Sequence, residues 1–131
     1  MKHIKAFLII AFVFAVNTVS AQSVTEKWPA IEAFHEVLSQ TFHPAEEGNL
    51  APIKARSEEM MLKAAALLKS DIPEEFRTNQ ILASAEKLQL KSKKLHQLVT
   101  SKASDDDIVK SLTNIHDTYH EIVGLCTAEK K

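Results

Sequence analysis

Glycine is nearly missing from this sequence, with Gly48 and Gly124 alone, and cysteine occurs once, at Cys126. Aromatic residues make up only 6% of the chain. These shortages exclude several chemistries. No glycine-rich stretch could cradle a phosphate. One cysteine rules out an internal disulfide and the C-x-x-C-H attachment of c-type haem. Cys126 also lies near the chain end with no histidine in obvious reach, which argues against a cysteine nucleophile. No stretch alternates apolar and polar residues as a half-buried strand does. Charge of one sign is lacking too: the formal net charge is −1. It turns more acidic once Lys2 and Lys5 are set aside, which argues against nucleic acid or an anionic membrane as partner.

What is present begins with a leader. Lys2 and Lys5 precede the apolar run AFLIIAFVFAV at residues 6–16, and Val19-Ser20-Ala21 offers small residues for cleavage before Gln22. This is the pattern of a secretory signal peptide, too short and wrongly flanked for a membrane anchor. No cysteine follows the apolar run, so a lipoprotein anchor is not expected. The reading is an exported chain, periplasmic or secreted, with residues 1–21 as signal peptide and residues 22–131 as one domain. Without a disulfide, that domain depends on its core. Cys126 is left to sit buried and inert, to join two copies of the chain, or to bind metal, and the first use is the simplest.

Four helices are expected in residues 22–131. The first runs from about Trp28 to Phe42, with Pro29 tolerated in its first turn and His43-Pro44 ending it. Ile31, Phe34, Leu38 and Thr41 form its apolar stripe. The second opens after Asn49 as a cap and reaches Lys69, with Ile53, Ser57, Met60, Ala64 and Leu67 along one face. Asp71-Ile72-Pro73 breaks the pattern. The third runs from Pro73 or Thr78 to Thr100 with Ile81, Ala85, Leu88, Ser92, Leu95 and Val99. The fourth starts at Ser104, where Ser104 and Asp107 make a capping box and Asp105, Asp106 and Asp107 meet the positive end of the helix. Its stripe is the cleanest: Ile108, Leu112, Ile115, Tyr119, Ile122 and Cys126. Amphipathic helices with short links give an all-α, antiparallel up-down-up-down four-helix bundle.

Chemistry concentrates in IHDTYHEIVGLC, residues 115–126, where His116 and His120 lie one turn apart. On a heptad frame Trp28, His35 and Phe42 occupy e positions of the first helix, and Val109, His116 and Val123 occupy e positions of the fourth. Antiparallel neighbours meeting e against e pair Phe42 with Val109, His35 with His116, and Trp28 with Val123. The same rule pairs Leu68 with Leu82 and Met61 with Gln89. Glu32 and His120, at b positions, flank the histidine pair. The expected cluster is Glu32, His35, His116 and His120. Three imidazoles and a carboxylate suit zinc, copper(II) or nickel, and i,i+4 histidines can chelate one ion. Glu32 is either a ligand or a partner that orients a ring. The competing reading is of boundary histidines with ordinary hydrogen bonds.

Other groups carry less. His43 and His96 fall toward a loop end near Glu46, Glu47 and Asp105 and read as a solvated rim. Met60 and Met61 read as core filling and Lys91, Lys93 and Lys94 as a solvated face. Glu32-x-x-His35 and Asp117-x-x-His120 match a di-iron spacing, but Asp117 falls on the outside of its helix.

The layout of leader, four helices and a histidine on the last helix resembles exported bundles of the cytochrome b562 and cytochrome c′ type. The resemblance implies a b-type haem held non-covalently, with His116 or His120 and His35 as axial ligands, since the first helix has no methionine where those relatives supply one. The chain is also similar in layout to exported helical metal-resistance proteins. The functional expectation is a non-enzymatic metal-binding bundle. The alternatives are a b-type cytochrome and an interaction module without cofactor, self-associating through a bundle face or Cys126.

Overall fold

A computed structural model describes residues 24–128. The leader expected over residues 1–21 lies outside them. The described residues are helical with no strand: a turn at residues 24–27, then α1 (Pro29–Glu46), α2 (Ala51–Lys69), a short 3-10 turn (Glu74–Phe76), α3 (Asn79–Thr100) and α4 (Asp105–Ala128). Each long helix packs on its neighbour in sequence, and α1 also meets α4 across the thinnest of these interfaces.

The core is the set of stripes read from the sequence. Ile31, Phe34, Leu38, Ile53, Met60, Leu67, Ile81, Leu88, Leu95, Ile108, Leu112, Ile115 and Ile122 are all buried. Polar residues on the stripes need partners to be tolerated there. Thr41 donates its hydroxyl back to the carbonyls of Val37 (2.9 Å) and Leu38 (3.2 Å). Ser57 Oγ lies 2.9 Å from His96 Nδ1, tying α2 to α3. Among the described residues Ser92 finds no partner for its buried hydroxyl.

The segment that breaks the pattern between α2 and α3 fills one end of the core. Phe76 is buried and packs on Trp28 with ring centroids 6.2 Å apart. Trp28 Nε1–H donates to Ser70 Oγ at 3.1 Å, and that hydroxyl donates to the Leu67 carbonyl at 2.6 Å. Trp28 therefore packs against this segment, on the position that the heptad register sets opposite Val123. α3 then starts at its Thr78 cap, whose hydroxyl accepts from the Ile81 N–H at 3.2 Å.

The helix ends differ from expectation at the α1–α2 junction, where α1 runs on and Asn49 is not the cap of α2. α1 does not stop at His43-Pro44 but continues to Glu46 with Pro44 inside its last turn. It closes by backbone bonds from Gly48 N–H to Ala45 O (3.0 Å) and Asn49 N–H to Pro44 O (2.9 Å). This is a Schellman motif, and it places Gly48 at φ +90°. Asn49 accepts from the Ala51 N–H at 3.1 Å one position before the cap of α2, which is Leu50. α3 ends in the same motif, with Lys102 N–H on Val99 O (3.1 Å) and Ala103 N–H on Leu98 O (2.9 Å), but here Lys102 holds the left-handed residue at φ 60°. Ser104 accepts from the Asp107 N–H at 3.1 Å, which is one half of the expected capping box.

Lys102→Gly should raise stability by roughly 1 kcal/mol and Gly48→Ala should lower it by about as much, because a Cβ is penalised in the left-handed region. A Cβ on Gly48 meets nothing within 4 Å, so that cost is conformational. Ser92→Ala should stabilise by about 1 kcal/mol by removing an unpaired buried hydroxyl. Urea unfolding of the three variants reads all of these shifts.

Candidate metal centre

α4 sets His116 and His120 one turn apart, and their Nε2 atoms lie 3.2 Å from each other. In this contact one ring donates and the other accepts, so the two cannot both be protonated and keep it. Phe42 of α1 lies face to face on the His116 ring, with centroids 3.9 Å apart and planes 11° from parallel. The heptad register sets Phe42 opposite Val109, so the pair seen here is slid by one heptad. His35 stacks on Tyr119 at 5.0 Å and 16°, and Tyr119 in turn stacks on Phe34 at 6.3 Å. His120 meets both His116 and Tyr119 edge on.

His35, His43, His116 and His120 line one small cavity of about 30 Å³ with Phe42 and Tyr119. The structure thus brings three of the four sequence-derived candidates to one place. Glu32 is exposed, does not line the cavity, and acts on His35 only through its charge. His43 is the residue that sequence reasoning placed elsewhere. Because α1 runs on through Pro44, His43 stays helical and turns to the same cavity, 3.6 Å by its Nδ1 from Glu46 Oε1. Its i+8 spacing from His35 was the available signal. His96 goes the other way, to Ser57, and does not join a rim with His43.

The electrostatics favour neutral rings. Burial is the main reason that His116 protonates less readily than a free imidazole; His120 adds to it, His43 adds a little, and Asp117 and Glu46 oppose it. His35 is lowered by burial first, then by His120 and His43, against Glu32. Burial, and secondarily Cys126, pushes the Tyr119 phenol up to about 12. Neutral imidazoles are the form that binds metal. Among the described residues, however, no three His, Cys, Asp or Glu side chains already stand together as a ligand set. Cys126 is buried in the core, so joining two copies through it would require unpacking the end of α4. No helix among the described residues is long and apolar enough to cross a membrane.

Comparison with protein-family models, with curated proteins and with solved structures returns no match.

The lowered histidines make stability pH-dependent with a definite sign. The unfolded chain takes up protons at these rings first, near the ordinary value of 6.5. Stability is therefore full above that value, declines as pH falls through it, and levels off once the folded rings protonate. The urea midpoint should be lower at pH 5 than at pH 7.5, and a His35→Gln/His116→Gln variant should lose much of that difference. Glu59 and Glu121, whose carboxyls are held low by Arg56 and by Ser84, respond only in the carboxylate range below.

Proposed function

We propose that this chain is an exported binding protein, not an enzyme, whose domain is an antiparallel up-and-down four-helix bundle holding one transition-metal ion between its first and last helices. Cross-links between helices support the topology. Lys54 near the start of α2 reaches Asp105 at the start of α4 (2.9 Å), Ser57 reaches His96 near the end of α3, and Ser84 near the start of α3 reaches Glu121 near the end of α4 (2.6 Å). These links fit helices that alternate in direction.

The observation that carries the metal reading is the 3.2 Å separation of the His116 and His120 Nε2 atoms. With metal–nitrogen bonds of about 2.05 Å, that spacing corresponds to a nitrogen–metal–nitrogen angle of roughly 100°, between square-planar and tetrahedral values. Zinc, copper(II) and nickel all accept this pair. His35 supplies a third nitrogen by turning off Tyr119, and Glu32 adds only its charge from outside, as a partner and not a ligand. A b-type haem fits less well, because the cavity beside these rings holds about 30 Å³, far below the volume of a porphyrin.

Titration of the metal-free protein with zinc, copper(II) or nickel should show uptake of about one equivalent, weakening in acid as protons compete for the ring nitrogens. His116→Ala and His120→Ala should each cost at least about tenfold in affinity, and His35→Ala less, with the fold kept in all three. Uptake no greater than that of the His116→Ala/His120→Ala variant would end the metal reading and leave an interaction module. A Soret band after purification would favour haem instead.

A further inference from the structure

The seam between α3 and α4 is the most extensive in the fold, and its polar edge changes character along its length. Lys87, Lys91 and Lys94 follow one another at spacings of four and three, so they share the face of α3 beside α4. At one end Lys87 meets Glu121 at 3.4 Å, and Glu121 also accepts from Ser84. One turn on, the partner is neutral: Lys91 Nζ donates to Thr118 Oγ1 at 2.8 Å. The Thr118 hydroxyl is buried and spends its own proton on the Asn114 carbonyl at 2.9 Å, so its lone pair is fixed toward Lys91. Beyond this point, among the described residues, no carboxylate closes on a lysine of α3 or α4. Among the described residues Lys94 of α3 and Lys110 of α4 make no ion pair, and both line an opening of about 450 Å³ with Lys91, Ser111, Asn114 and Leu98. Among the described residues Asp107 is the one acid on its wall, and it makes no ion pair with any of the three lysines.

We propose that this groove binds a small organic anion of the phosphate monoester class. Three lysines line it from two helices, and a tetrahedral head with three terminal oxygens can use all three. A planar carboxylate has two oxygens and is matched better by the fork of an arginine, and no arginine lines the groove among the described residues. Lys91 is already held in place by Thr118, so little of its freedom remains to be lost on binding. Ser111 and Asn114 offer neutral hydrogen bonds beside the head, and Leu98 gives an apolar wall for the carbon part of the ester. Asp107 disfavours a second anionic group at its end of the groove, which limits the ligand to one phosphate head.

The test is titration of the full mature chain with glycerol 3-phosphate at low salt, followed by amide chemical shifts in parallel with calorimetry. The expected result is saturable binding with shifts confined to residues around Lys91, Lys94, Lys110 and Asn114. Lys94→Gln and Lys110→Gln should each weaken it roughly fivefold, and Lys93→Gln, outside the groove, should leave it unchanged. Both positions are exposed, and a melting curve for each variant verifies the fold. An equal loss with Lys93→Gln would mean diffuse charge attraction and would overturn the proposal. Binding only to vesicles that carry phosphatidic acid, with none to the soluble ester, would overturn it as well, since the headgroup would then need a membrane surface.

Discussion

The closure of α1 on α4 is the contact on which the rest depends. These two helices are the ends of the described chain and no loop joins them, so only side chains can hold them together. Phe34 and Phe42 reach across from α1, and Tyr119 and His116 receive them. The price of this closure is that an imidazole takes a place an aliphatic side chain could have filled, partly buried and reluctant to carry charge. The same contact sets the distance between the rings that line the small cavity. Stability and the proposed ion site are thus two results of one packing arrangement, and loss of Phe42 would loosen both.

Much of the helical architecture could be read from residue spacing. Every apolar residue on the four stripes except Val99, which is half-buried, is in the core, because a 3.6-residue repeat leaves little choice about which face turns inward. The register between α1 and α4 could not be read in the same way. A heptad frame is unchanged when one helix slides by seven residues, so e still faces e whether Phe42 meets Val109 or His116. What selects the actual slide is shape. Trp28 needs the pocket made by Phe76 and Ser70 at one end, and a ring as flat as His116 receives Phe42 face to face at the other.

The same limit explains the error at His43. A proline following it suggested a helix end, since proline disfavours helical geometry in the residue before it. Pro44 sits in the final turns, and the Schellman closure at Gly48 secures the carbonyls that follow. About one extra turn of helix therefore keeps His43 helical, and it lines the cavity. His96 shows the opposite case. Its spacing alone pointed to a loop end, but the buried Ser57 hydroxyl on the neighbouring helix needed a partner and captured it. Such demands are set by tertiary neighbours and are not written in any one segment.

The position of the lone tryptophan has a practical side. Trp28 lies one residue before α1 and seven before His35, the first ring of the cavity along that helix, which puts roughly 10 Å of helix axis between them. Its surroundings are Phe76 and the Ser70 hydroxyl, both in the α2–α3 connection. Intrinsic emission from this protein therefore reports first on the docking of that connection. Tyr119, in contact with two of those rings, is the native chromophore that looks the other way.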